Sequence, residues 1–335
     1  MTLSEVARAM VAPGKGILAA DESTATIAKR LESIGIPNSE ESRRAYRELL
    51  ITAPNLGEHI SGIILYDETL RQSTKDGRTF VSVLKEAGIL PGIKVDMGLE
   101  EMPGSPEEKV TKGLDTLPER LKEYAQIGAK FCKWRAVITI GEGLPTDANI
   151  DENAKRLAQY ARLSQEAGLV PMVEPEVLMD GAHNIDAARD ASTRILTALF
   201  KELADAGVAI DGVILKTSMV VPGKEDRTAA PEEVATETVA VFKMTLPDEL
   251  PGQTFLSGGQ SDEEAAANLN AIAKLGPFPW KLSFSYGRAL VSTALSTWAG
   301  KEENVAAAQG VLLHRAKMNG LASLGQYSAD MENKA

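Results

Sequence analysis

The chain reads as a single α/β domain over residues 1–335, a (β/α)8 TIM barrel with its active site at the C-terminal ends of the strands. Three observations predict it. Short apolar runs recur along the whole length, about eight of them, and each is followed by a polar segment with room for one helix. No composition shift, Gly/Ser linker or charge run marks a domain boundary within the 335 residues. Strand and helix in alternation mean a parallel sheet, and this many units close economically into a barrel; an open doubly wound sheet is the alternative.

The elements follow in order. A short helix over 3–11 precedes the first run, Gly16 to Ala20. The next runs are Gly62–Tyr66, Gly92–Asp96, Ala129–Val137 and Leu169–Glu174, followed by Gly212–Ser218, Thr254–Ser257 and Lys281–Tyr286. Helix ends are marked between them. Ser261-Asp262-Glu263-Glu264 is a capping box, and Pro231 before Glu232 and Glu233 suits a first turn. Asp151 can cap the segment Glu152 to Ala167, and Asn184 or Asp186 can open the helix toward Phe200. The polar tail Ser328 to Ala335 is expected to be mobile.

Composition narrows the partners. With 47 acidic against 36 basic residues and a net charge of −11, neither nucleic acid nor an anionic membrane is expected, so an anionic ligand must be held by local donors. The single cysteine, Cys132, rules out an intrachain disulfide and suits a reducing compartment; it reads as a small buried hydrophobe. The amino terminus lacks an export signal, and no apolar stretch approaches the length of a membrane span. A cytoplasmic protein is expected.

The chemistry centres on Lys216, an ammonium group inside the apolar stretch Asp211 to Val221. Burying a charged amine is costly, so the site must pair it or neutralise it, and a neutral lysine is a nucleophile toward carbonyls. Residues two apart on a strand share a face, which places Lys94 with Asp96, Lys133 with Arg135, and Glu174 with Glu176; Asp21 ends the first run. Each pair alone is more often a structural ion pair. Charges near the ends of at least five runs are better satisfied by one another at a single mouth. A cation beside Lys216, with Lys133 the first candidate, would favour its free amine; Glu174 or Glu176 would serve as general acid or base, and Asp21 would orient or deprotonate.

The last two runs end in Ser257-Gly258-Gly259 and Tyr286-Gly287-Arg288. Their glycines let backbone N–H groups approach a phosphate, and Arg288 can chelate its oxygens, at the place where barrels often hold one. Two motifs fail. Gly14-Lys15-Gly16-Ile17-Leu18-Ala19 matches a dinucleotide pattern but precedes its strand, and His59, His183 and His314 lack metal-ligand spacing, so no metal is expected. Trp134, between Lys133 and Arg135, should point outward into the helix layer.

Six runs in order resemble the class I, Schiff-base-forming fructose-bisphosphate aldolases, and the likeness covers nearly the whole length. They are Gly14 to Ser23, Gly92 to Asp96, Lys133-Trp134-Arg135, Val173 to Glu176, Leu256 to Gln260, and Ser285 to Leu290. The resemblance implies reversible cleavage of fructose 1,6-bisphosphate into dihydroxyacetone phosphate and glyceraldehyde 3-phosphate. It makes Lys216 the Schiff-base lysine and Glu174 the acid/base of carbinolamine formation and dehydration, with Glu176, Lys133 and Lys94 in the same charged cluster. Asp21 assists at the hydroxyl whose deprotonation drives cleavage. Ser257, Gly258, Gly287 and Arg288 hold the phosphate of the ketose half, Ser23, Thr26, Lys29 and Arg30 match the region of the second phosphate, and Arg135 joins the substrate-binding set. The resemblance also implies no cofactor beyond the covalent lysine, and a homotetramer.

The chain departs from the family pattern in three places. Thr217-Ser218 follow the lysine where many relatives carry Pro-Asn, and Thr26 replaces a common serine. No tyrosine stands at Ala335, where vertebrate-type members use one for proton exchange on the enamine; Tyr327 is the candidate substitute. A transaldolase-like transferase, an aldolase for a longer ketose bisphosphate and a non-catalytic scaffold are the competing readings.

Overall fold

A computed structural model describes residues 1–332. Ten strands form. They are β1 (Gly16–Ala20), β2 (Ile60–Leu65), β3 (Leu90–Lys94), β4 (Leu99–Met102), β5 (Ser105–Thr111), β6 (Phe131–Ile138), β7 (Val170–Val177), β8 (Ile214–Thr217), β9 (Gly252–Phe255) and β10 (Lys281–Tyr286). Eight of them close into a barrel in the order β1-β10-β9-β8-β7-β6-β3-β2, and every neighbouring pair is parallel. The expected barrel is therefore present, and the open sheet is not.

Two apolar layers follow from the pleat. Alternate residues of β6 face the helices: Cys132 and Trp134 are fully buried there, and Trp134 stacks on Tyr160 at 5.6 Å between ring centroids. The other parity faces the barrel axis. Phe131, Val170, Met172 and Ile214 fill its floor with Ile17 and Ile64, and Val6, Ala7 and Met10 of the helix Leu3–Met10 close it from below. A Cβ on Gly92 would lie 2.2 Å from the Phe131 ring, so only glycine admits that ring.

The sequence reading missed β4 and β5, an antiparallel hairpin beside the barrel mouth, whose exposed, charged first strand has no apolar run to announce it. Its second strand is anchored: Thr111 Oγ1 donates to the Arg135 carbonyl at 2.7 Å, and the buried Glu108 carboxylate accepts from the Thr146 N–H at 2.8 Å and hydroxyl at 2.6 Å. Thr146, not Asp151, then caps the helix Asp147–Glu166, with its hydroxyl accepting from the Asn149 N–H, which leaves Asp151 inside the helix. Asn184, Ser261 and Pro231 start their helices as expected.

The tail is tethered as far as Glu332. That carboxylate accepts from Arg315 at 2.7 and 2.9 Å and from the Tyr327 hydroxyl at 2.8 Å, and it lies 3.0 Å from His314 Nε2. A short 3-10 turn, Ala329–Met331, leads to that contact; of the stretch Ser328 to Ala335 expected to be mobile, 333–335 lie outside the described residues.

Candidate active site

Lys216, Glu174, Glu176, Lys133, Asp21 and Lys94 line one cavity of about 1080 Å³ at the carboxyl ends of the strands, together with every residue expected to hold substrate or phosphate. The pleat puts them there. Lys133 and Arg135 share the inward parity of β6 with Phe131, Glu174 and Glu176 that of β7 with Met172, and Lys216 that of β8 with Ile214. Polar groups thus occupy the last inward positions of strands whose first inward positions are apolar.

Glu174 is the hub. Its side chain is 4% exposed, with Oε1 3.0 Å from Lys216 Nζ and Oε2 3.2 Å from Lys133 Nζ. Lys133 also pairs with Asp21 Oδ2 at 2.7 Å. Burial raises the Glu174 carboxyl, but Lys133, Lys216 and Arg135 outweigh it and hold the group below the ordinary carboxylate range. Asp21 behaves alike: burial pushes it up, Lys133 and Lys216 pull it down further, and it settles well below the usual range. Burial lowers the Lys133 ammonium, yet Asp21, Glu174 and Asp96 raise it well above a free lysine. The expected cation therefore stands beside Lys216, but each ammonium takes one oxygen of a shared carboxylate. Proton transfer between Lys216 and Glu174 has a direct path.

Glu176 is occupied by Arg135, and Asp96 by Lys94. Neither carboxylate touches the Lys216 amine in this geometry, which leaves Glu174 as the carboxylate within reach of that amine. Thr217 and Ser218 face away from the cavity: their hydroxyls donate to the Pro175 carbonyl at 3.2 Å and the Val177 carbonyl at 2.9 Å, so they tie β8 to β7.

The loops after β9 and β10 meet at Ser257, Gly258, Gly287 and Arg288, where the Arg288 guanidinium donates to the Gly258 carbonyl. Gly258 has φ +56°, a left-handed turn that favours glycine. The helix Arg288–Trp298 starts at this point, with its amino end available to an anion. Across the mouth, Ser23 caps the helix Thr24–Glu32, which carries Thr26, Lys29 and Arg30 on the cavity wall.

Some lining residues were missed. Glu22 lies next to Asp21 in a run already noted, and its charge was the available signal. Arg71, Arg120 and Glu123 come from helices, where no strand-parity argument applies. Tyr327 lies elsewhere, lining a separate cleft with Asn270 and Lys274, and its hydroxyl is engaged by Glu332. Cys132 is buried between Ser164 and Tyr160; burial pushes its thiol up to about 11, so it is no nucleophile near neutrality. Among the described residues no group of three or more His, Cys, Asp or Glu is arranged to hold a metal ion.

Comparison with known proteins gives a consistent result. The family model described as fructose-bisphosphate aldolase class-I matches residues 2–335. A protein of Xanthomonas axonopodis pv. citri (strain 306) named probable fructose-bisphosphate aldolase class 1 is 55% identical over 327 residues, covering 97% of this chain and 98% of its own. Fructose-bisphosphate aldolase 4, cytosolic, of Arabidopsis thaliana is 53% identical, covering 96% of this chain and 82% of its own. The Plasmodium falciparum fructose-bisphosphate aldolase, solved in complex with TRAP and a small-molecule inhibitor, superposes with a TM-score of 0.96 at 49% identity, over 98% of this chain and 95% of its own. With the match running from end to end, the chain belongs to the class I fructose-bisphosphate aldolase family.

Proposed function

We propose that this enzyme cleaves fructose 1,6-bisphosphate reversibly through a Schiff base on Lys216, with Glu174 moving the protons of its formation. The observation that carries this is the buried Glu174 carboxylate at 3.0 Å from the Lys216 amine and 3.2 Å from Lys133. Glu174 takes a proton from Lys216, and the freed amine adds to the C2 carbonyl. Glu174 returns this proton to the new alkoxide, takes a second from the added nitrogen and gives it to the carbinolamine hydroxyl, which leaves as water, and the iminium remains.

Asp21 accepts the proton of the C4 hydroxyl. The O–H pair becomes the new carbonyl, the C3–C4 bond breaks, and its electrons pass into the iminium to give an enamine. The Lys133 ammonium, 2.7 Å from Asp21, keeps that carboxylate ionised and ready. Glyceraldehyde 3-phosphate departs, the enamine is protonated, and hydrolysis releases dihydroxyacetone phosphate. The iminium is itself the electron sink, so this scheme needs no metal or other cofactor.

Ser257, Gly258, Gly287 and Arg288 hold the phosphate of the ketose half, and Ser23, Thr26, Lys29 and Arg30, with Lys94 and Arg135 nearby, hold the second. The same reading carries one domain over residues 1–335, a homotetramer and a cytoplasmic setting. The cytosolic Arabidopsis relative supports the last, and no described helix is long and apolar enough to cross a membrane. Borohydride reduction with dihydroxyacetone phosphate, followed by peptide mass mapping, tests the mechanism. A stable adduct on Lys216 is expected; an adduct at another lysine, or complete loss of activity in chelator, overturns it.

A further inference from the structure

Behind Arg30 the structure holds a second arginine that the mechanism above does not use. Arg47, on the helix Glu40–Ile51, is 2% exposed, and its Nη2 lies 2.7 Å from Glu22 Oε2. The other Glu22 oxygen pairs with Arg30 on the cavity wall. Glu22 itself is 5% exposed at the side chain, so one buried carboxylate is shared by two guanidinium groups, one facing substrate and one facing the core. Arg47 also donates to the Glu22 carbonyl at 3.2 Å and lies 5.3 Å over the Tyr46 ring, which is wholly buried against Trp298. Its Nε and Nη1 have no hydrogen-bond partner among the described residues.

A guanidinium is costly to bury, and a single Arg30–Glu22 pair would already neutralise the carboxylate. That pair would also immobilise Arg30. A buried carboxylate whose sole counter-charge is Arg30 cannot release it to a phosphate without being left unpaired, whereas with Arg47 in place Glu22 stays neutralised when Arg30 turns away. Arg30 is placed for the second phosphate, since it shares the helix Thr24–Glu32 and the cavity wall with Thr26 and Lys29.

We propose that Arg47 is a positioning residue that frees Arg30 for the phosphate of the ketose bisphosphate remote from the Schiff base. The proposal rests on the reading of Arg30 as a phosphate ligand. The test is steady-state kinetics with fructose 1,6-bisphosphate and with fructose 1-phosphate, which lacks the second phosphate. Arg47→Met is expected to raise KM for the bisphosphate about ten-fold, the loss of roughly one charged hydrogen bond, and to leave kcat and the fructose 1-phosphate parameters within about two-fold. Adding Glu22→Gln removes the anion that captures Arg30 and brings the bisphosphate KM back toward wild type.

A merely structural role of Arg47 would move both substrates together and would not be rescued by the second substitution; either result overturns the proposal. If Arg47→Met does not fold, Glu22→Gln alone decides: an unchanged or lowered bisphosphate KM is expected, and a rise confined to the bisphosphate overturns the relay. Arg30→Ala, measured alongside, separates the two readings. An unchanged KM there removes Arg30 as a ligand and both ideas with it, whereas a raised KM with wild-type behaviour in Arg47→Met removes the relay alone.

Discussion

Replacing Glu174 by Gln keeps the shape of a buried side chain and deletes one negative charge shared by two ammonium groups. The two oxygens lie 3.0 Å from Lys216 and 3.2 Å from Lys133, so the substitution takes the proton acceptor from one lysine and a counter-charge from the other. Lys133 keeps Asp21 at 2.7 Å, which places the stability cost at the low end of that for a broken buried pair, about 3 kcal/mol. The catalytic cost is larger in effect. Losing a positioned acid/base is expected to lower kcat about 10²- to 10⁴-fold. Because Glu174 acts before cleavage, the rate of borohydride trapping with dihydroxyacetone phosphate should fall in the same proportion. The assay is rapid-quench trapping beside steady-state cleavage, on protein whose melting curve shows it folded. Trapping at the wild-type rate with cleavage impaired would move Glu174 to the carbon–carbon step. Wild-type kcat would remove it from the mechanism.

Acid should destabilise the fold through the same cluster. Asp21 and Glu174 are held below their ordinary values, so their contribution is fully present above the unfolded carboxylate range of about pH 4–5 and is lost as pH falls through the folded values. A melting series below pH 5 should show this dependence weakened in a Lys133→Met variant; an unchanged series would refute it. Gly92→Ala should lower stability by about 1–3 kcal/mol in urea titration, since its methyl group would enter the Phe131 ring at 2.2 Å. Tyr327→Phe should leave solvent-tritium exchange into bound dihydroxyacetone phosphate unchanged, because its hydroxyl serves Glu332 in a separate cleft; slowed exchange would return Tyr327 to the mechanism.

The barrel and the charged ring were legible because they rest on a period of two. Once Lys133 and Arg135, or Glu174 and Glu176, sit near the end of an apolar run, parity and the carboxyl-end rule bring them to one mouth. What was illegible came from other geometry. Arg47 reads as one more charge on a polar helix, and only its 2% exposure separates it from Arg44, which pairs with Glu48 at the surface of the same helix. The hairpin β4–β5 escaped because its first strand faces solvent on both sides. Strand limits drifted where the last polar residue lies beyond the ladder, as at Asp96 and Ser257. The pairing of Glu176 with Arg135, which sets Glu174 apart from its neighbour, depends on side-chain reach that spacing does not encode.

The alternation along β6 has a further consequence. Cys132 and Trp134 belong to the helix layer, and Lys133 and Arg135 to the mouth, in a strand paired on both sides by β3 and β7. Point changes act on one layer at a time. A single-residue insertion or deletion inside this strand would act on both at once, turning an indole toward the substrate and an ammonium into a dry helix interface, so stability and chemistry would fail in the same step. Length variation in this enzyme must therefore lie outside the ladders, and the hairpin that precedes β6 can absorb it without changing which side chains look inward.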